Sequence, residues 1–226
     1  MKRFLLPVLF ASVQSAMAQS GGMAAIVPGT YGCQAVTTDA AGNVYLIDEA
    51  GIQKYAAGTG KLTTLASRDL SIDVVGMAAD PAGNLYIPQG SHGPLANTVK
   101  KLAVGSGAVT TVAGTGETYN GVTRRIPGLA TKAVVDDPRT VAFDSAGNLY
   151  IGHGGAGIWK LTEATGMIGA LPMQVFPKSR RDPVDPIANR VRRIDPRGLV
   201  FDSEGNLFIA DSFTHVIWQA GPEGEC

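Results

Sequence analysis

Asp137-Pro138-Arg139-Thr140-Val141-Ala142-Phe143-Asp144-Ser145-Ala146-Gly147-Asn148-Leu149-Tyr150-Ile151 decides the fold. Two apolar runs, Val141-Ala142-Phe143 and Leu149-Tyr150-Ile151, flank a short turn that begins at Asp144. Runs of that length joined by an Asp- and Gly-containing turn read as a β-hairpin. The Asp side chain can accept hydrogen bonds from the turn's own backbone, and Gly supplies a positive φ at no steric cost. The second run does not alternate with polar residues, which predicts a strand covered on both faces.

The unit occurs four times. The turns begin at Asp39, Asp80, Asp144 and Asp202, and each contains Gly-Asn, at Gly42-Asn43, Gly83-Asn84, Gly147-Asn148 and Gly205-Asn206. The copies are spaced by 41, 64 and 58 residues, so the first interval is a bare repeat and the others carry insertions. Repetition at this period fixes the architecture class. In three copies two further runs follow the hairpin. They are Ile52–Tyr55 and Leu62–Leu65, Val99–Leu102 and Val109–Val112, and Ile158–Leu161 with Met167-Ile168. Four antiparallel strands per repeat describe a propeller blade. The expected fold is all-β: a small β-propeller of about four four-stranded blades, near 34–68, 72–116, 138–173 and 196–220.

The pattern P-R-G-[VL]-x-x-D-S-x-G-N-L-[YF]-I-A-D, followed by H-x-I, resembles the NHL repeat. Residues 196–217 match it best, with His215 at the signature histidine. The resemblance covers most of the chain and implies a β-propeller, most often with six blades; four copies are visible here. Bacterial NHL proteins carry long linkers like those at 116–136 and 173–195. The second linker is basic, with Lys178, Arg180, Arg181, Arg190, Arg192 and Arg193. It is expected either to bind a partner or to be a solvated loop whose arginines pair with nearby aspartates.

Residues 1–18 read as a secretory signal peptide: Lys2 and Arg3, an apolar segment, then Ala16-Met17-Ala18. The expected product, residues 19–226, is secreted or periplasmic, with no membrane span. The full chain has 19 basic and 19 acidic residues; without Lys2 and Arg3 the balance is 17 against 19. A slightly acidic chain argues against a dedicated nucleic-acid binder. Residues 22–30, GMAAIVPGT, parallel residues 107–115, GAVTTVAGT, at an outermost strand. Residues 22–28 are therefore expected to complete the last blade and close the ring, which satisfies an otherwise bare edge. The alternatives are a piece of a longer propeller and a ring shared by two chains, and the product is expected to be a monomer or a homodimer.

Export permits a disulfide between the two cysteines, Cys33 and Cys226. Cys33 begins an inner strand whereas Cys226 trails an outer one, so two unpaired thiols or pairing between chains remain alternatives.

The start of each first strand and the end of each second meet on one face. One ring of equivalent residues there is Gln34, Val75, Arg139 and Arg197; another is Asp48, Gln89, His153 and Asp211; a third is Asp73, Asp137 and Asp195. Candidate ligand-binding residues are Arg139, Arg197, His153, Asp48, Asp211 and Gln34, because arginine forks recognise carboxylate or phosphate. The structural alternative has Asp48 and Asp211 capping loops and each Arg paired with a neighbouring Asp. Zinc-dependent lyases that resemble NHL propellers place His directly after the Pro that starts the inner strand. Arg139 and Arg197 stand there instead. No G-x-S-x-G elbow is present, and no catalytic residue or resident metal is expected. The functional expectation is a binding or scaffold module for a protein, glycan or small ligand. The alternative is a metal-assisted lyase or lactonase-like enzyme, with a divalent cation in the channel held by Asp48, His153 and Asp211.

Overall fold

A computed structural model describes residues 32–67, 74, 76–118, 128–154, 157–171 and 194–221. These residues form four antiparallel sheets arranged as a four-bladed β-propeller. The first blade holds β1 (Ala35–Thr38), β2 (Val44–Asp48), β3 (Gly51–Ala56) and β4 (Lys61–Ala66) in sequence order. The second holds β5 (Ala78–Ala79), β6 (Leu85–Gln89), β7 (Thr98–Ala103) and β8 (Ala108–Ala113). In the third, β10 (Pro138–Phe143), β11 (Leu149–His153), β12 (Gly157–Thr162) and β13 (Met167–Ala170) are joined on the outside by β9 (Gly128–Leu129). The fourth has three described strands, β14 (Pro196–Phe201), β15 (Leu207–Asp211) and β16 (Val216–Ala220). The expected leader, residues 1–18, and the expected closing strand, residues 22–28, lie outside the described residues. Among the described residues no helix is long and apolar enough to cross a membrane.

The repeated turn works as its residue types predict. Asp144 Oδ1 accepts from the backbone N–H of Ala146 at 3.1 Å and of Asn148 at 2.8 Å, and Asn148 Nδ2 donates to Oδ2 at 2.8 Å. Asp39, Asp80 and Asp202 hold Asn43, Asn84 and Asn206 in the same way. The turn glycines all have positive φ, 83° at Gly147. The asparagine does more than the sequence reading assigned to it. Asn43 Oδ1 accepts from Ala57 N–H and Asn148 Oδ1 from Glu163 N–H, which ties each hairpin to the turn after its third strand. Lys101 and Lys160 complete the cluster: each lies over the ring of Tyr86 or Tyr150 and pairs with Asp80 or Asp144.

Cores form between blades. Tyr45, Ile47 and Ile52 of the first pack against Leu85, Ile87 and Leu102 of the second. Tyr86 and Val99 of the second meet Val141, Ile151 and Trp159 of the third. Tyr150 and Ile158 of the third meet Leu207 and Ile209 of the fourth. Ile87, Ile151 and Ile209 occupy one repeat position and are fully buried, each worth roughly 1.5–3 kcal/mol. Across two of the interfaces an edge-on aromatic pair recurs, Tyr86–Phe143 at 4.8 Å and Tyr150–Phe201 at 4.9 Å.

The second strands β6 and β11 are buried along their whole length. In β15 Phe208 is only half-buried and Ala210 is exposed. Blade four presents that face without a following blade among the described residues, so Val200 is 60% and Ile217 72% exposed. The matching end face, on blade one, leaves Val36 67% exposed.

Two features depart from the sequence reading. The linker at 116–136, read as a loop, supplies β9 and a 3-10 turn at Ala130–Lys132. Gly128 and Leu129 pair with Ile168 and Met167, using the backbone groups that the edge of β13 leaves open. Ala130, Ala133 and Val135 are buried in the core between blades two and three. His215, which aligns with the signature histidine of the resemblance, sits outside the strands, in the turn before β16 with φ 57°, exposed.

Candidate functional site

The inner strands of blades one, three and four, with Gly76 and Met77 just before β5 of blade two, border a cleft of about 640 Å³. Its walls are mainly apolar, from Val36, Leu46, Met77, Val141 and Leu199. Gln34, Thr140 and Arg197 supply polar groups. A smaller hollow of about 200 Å³ shares Arg197 with the cleft and is lined also by Asp211, Ser212 and Ile217.

Arg139 and Arg197 both follow the proline that opens an inner strand, yet their settings differ. The Arg139 guanidinium is gripped on two sides. Nε and Nη2 meet Asp137 Oδ2 at 2.8 and 2.6 Å, and Nη1 pairs with Asp195 of the next blade. Burial opposes its charge, but the two carboxylates outweigh that and hold it more firmly protonated than usual. Arg197 meets Asp195 Oδ2 through Nε alone, at 3.2 Å. Its side chain is 47% exposed, against 22% for Arg139.

Asp195 is the junction. It also accepts from Ser212 Oγ at 2.6 Å. Burial raises its carboxyl, but the Ser212 hydroxyl and the two guanidinium charges prevail and hold it below the usual carboxylate range. On the other side, Asp137 N–H donates to Asn97 Oδ1 of blade two at 2.9 Å. A polar chain therefore runs Asn97, Asp137, Arg139, Asp195, Arg197 across three blades. Gly154 is part of its design: a Cβ there would overlap the Asp137 carboxylate and press on Arg139 Nη2.

Asp48, Gln89, His153 and Asp211 stand at the ends of the four second strands, and all are buried. Asp48 accepts from Gln53 Nε2 at 2.8 and 2.9 Å and from Ala50 N–H at 2.8 Å. Asp211 accepts from the N–H groups of Asp195 and Phe213, from Thr214 Oγ1 and from Trp218 Nε1. Burial raises the Asp211 carboxyl, and these donors outweigh it and lower it. The His153 ring, 1% exposed, tilts against Trp159 at 5.8 Å between centroids.

Of the six sequence candidates, Gln34 and Arg197 line the cleft, and Arg197 and Asp211 line the smaller hollow. Arg139, Asp48 and His153 line neither. Among the described residues no three His, Cys, Asp and Glu side chains converge as a metal cluster. Val75 and Asp73 lie outside the described residues. Cys33 is exposed at the cleft; its candidate partner Cys226 also lies outside the described residues. Sequence reasoning missed Asn97, Ser212 and Thr140. The repeated Asp-Pro-Arg at 137–139 and 195–197 carried a signal for the ion-pair chain, but nothing local marked its partners.

No protein-family model matches the sequence, and no curated protein of similar sequence was found. Solved structures do resemble it. One is a Bacteroides thetaiotaomicron protein described as of unknown function, at 21% identity and TM-score 0.61, covering 83% of this chain and 46% of that one. Another is an auxiliary nutrient binding protein from Bacteroides ovatus, at 16% and 0.54, covering 84% and 47%. A third is virginiamycin B lyase from Staphylococcus aureus, at 14% and 0.50, covering 86% and 54%. The likeness shows the propeller fold, and this chain spans about half the length of these three proteins.

Proposed function

We propose that this chain is an exported NHL-type propeller that acts as a binding module, with the cleft between its inner strands as the site. One observation carries the reading. The cleft combines apolar walls from several blades with few polar groups, the composition of a small-molecule site, and Arg197 is its one charged side chain among the described residues. The enzymatic alternative, a metal-assisted lyase or lactonase-like protein, needs Asp48, His153 and Asp211 to converge on a cation. Those residues belong to three different blades, and both carboxylates are engaged by donors of their own blades and loops. Nutrient-binding and lyase proteins share the fold, so the fold does not choose between the two.

Elemental analysis of the purified protein, paired with melting curves in chelator and in added Zn²⁺ or Mg²⁺, separates them. The binding reading expects no stoichiometric metal and no shift in melting temperature. Stoichiometric metal that is lost on replacing His153 would transfer the case to the enzyme.

A further inference from the structure

We infer that the cleft takes an amphipathic monocarboxylate, its anionic head on Arg197 and its apolar body against Val36, Leu46, Met77 and Leu199. The inference rests on the binding-module reading and deepens it.

Asp137, Arg139, Asp195 and Arg197 alternate in sign, and the chain ends on the cation at the cleft. Arg139 is saturated by two carboxylates. Arg197 uses only Nε, and among the described residues its Nη1 and Nη2 meet no protein acceptor. Those two nitrogens present parallel donors that match a carboxylate. One side of the guanidinium is already beside Asp195, and Asp211 lines the hollow next to it. A dianion such as a phosphate monoester would meet that negative charge at twice the strength, so a monoanion fits better. The remaining lining is mostly apolar, and a volume of about 640 Å³ suits a ligand of small-molecule size. Gln34 and Thr140 add neutral polar groups to the lining. A cationic ligand finds no acidic side chain in the lining among the described residues.

The test is calorimetric titration of the full exported chain with 3-phenylpropanoate, 3-phenylpropanol and 3-phenylpropylamine, followed by the variants Arg197→Gln and Val36→Asp. Both positions are exposed, so the variants are expected to melt with the parent, which a thermal scan checks. The carboxylate should bind the parent more tightly than the alcohol, and the amine should not bind. Arg197→Gln should weaken the carboxylate by roughly tenfold or more while leaving the alcohol unchanged. Val36→Asp should weaken both. Equal binding of amine and carboxylate, or an unchanged carboxylate affinity in Arg197→Gln, overturns the inference. If the alcohol still binds and Val36→Asp abolishes it, the cleft survives as a site. If none of the three probes binds the parent, the inference and the cleft reading fall together.

Discussion

Replacing Asp144 by alanine tests the physical unit on which the fold is built. The carboxylate accepts two part-buried hydrogen bonds from Asn148 and one exposed bond from Ala146. Hydrogen bonds of this kind contribute about 1 kcal/mol each net, less where water competes. The Lys160 pair at 3.4 Å is half-exposed on the lysine side and adds at most about 0.5 kcal/mol. The expected loss is about 2–3 kcal/mol, equivalent to a drop of roughly 4–12 °C in melting temperature for a domain of this size. Urea denaturation followed by tryptophan emission reads it, since Trp159 is buried in the same blade. Ser145→Ala, at an exposed neighbour in the turn, should stay within about 0.5 kcal/mol. A midpoint for Asp144→Ala equal to that of Ser145→Ala would refute the reasoning. The pH dependence follows with a definite sign. Burial raises the Asp144 carboxyl, but Asn148 and Lys160 outweigh it, so its folded pKa lies below the usual carboxylate range. Its contribution is present above that range and is lost as pH falls through the folded pKa. Asp80, Asp195 and Asp211 shift in the same direction. Stability should therefore fall progressively below about pH 5, and Asp144→Asn should flatten part of that slope.

Gly114 has φ 91°, and a Cβ there would overlap the Asn97 carbonyl. Gly114→Ala should cost at least about 3 kcal/mol and depress soluble yield, measured by expression and melting. Arg139→Ala leaves Asp137 and Asp195 without their main cation at sites about four-fifths buried; the expected loss is about 1–3 kcal/mol, larger at pH 7 than at pH 3, read from urea curves at both. Phe201→Leu removes the edge-on contact with Tyr150 and should cost about 1–1.5 kcal/mol by denaturation, with Tyr150→Leu in the same background adding less than it does alone.

Local sequence determined the parts. Each Asp-x-x-Gly-Asn turn closes its own bonds within five residues, so its hairpin was legible wherever the motif stood. The all-apolar second strands were likewise legible as strands needing cover on both faces, which β6 and β11 receive along their whole length. The asparagine link to Ala57 and Glu163, and the lysines stacked on Tyr86 and Tyr150, were not legible. Their partners lie 10 to 15 residues away in chain order and meet only once the sheet has formed.

Tertiary structure alone decided the site. Arg139 and Arg197 follow identical dipeptides and carry the same charge, so nothing local separates them. Only the approach of blade four brings Asp195 to Arg139, while Arg197 meets Asp195 through Nε and lines the cleft. Likewise Gly128 and Leu129 became a strand because β13 had an edge to offer. Short-range hydrogen bonding is written residue by residue; which charge is neutralised depends on what packs beside it.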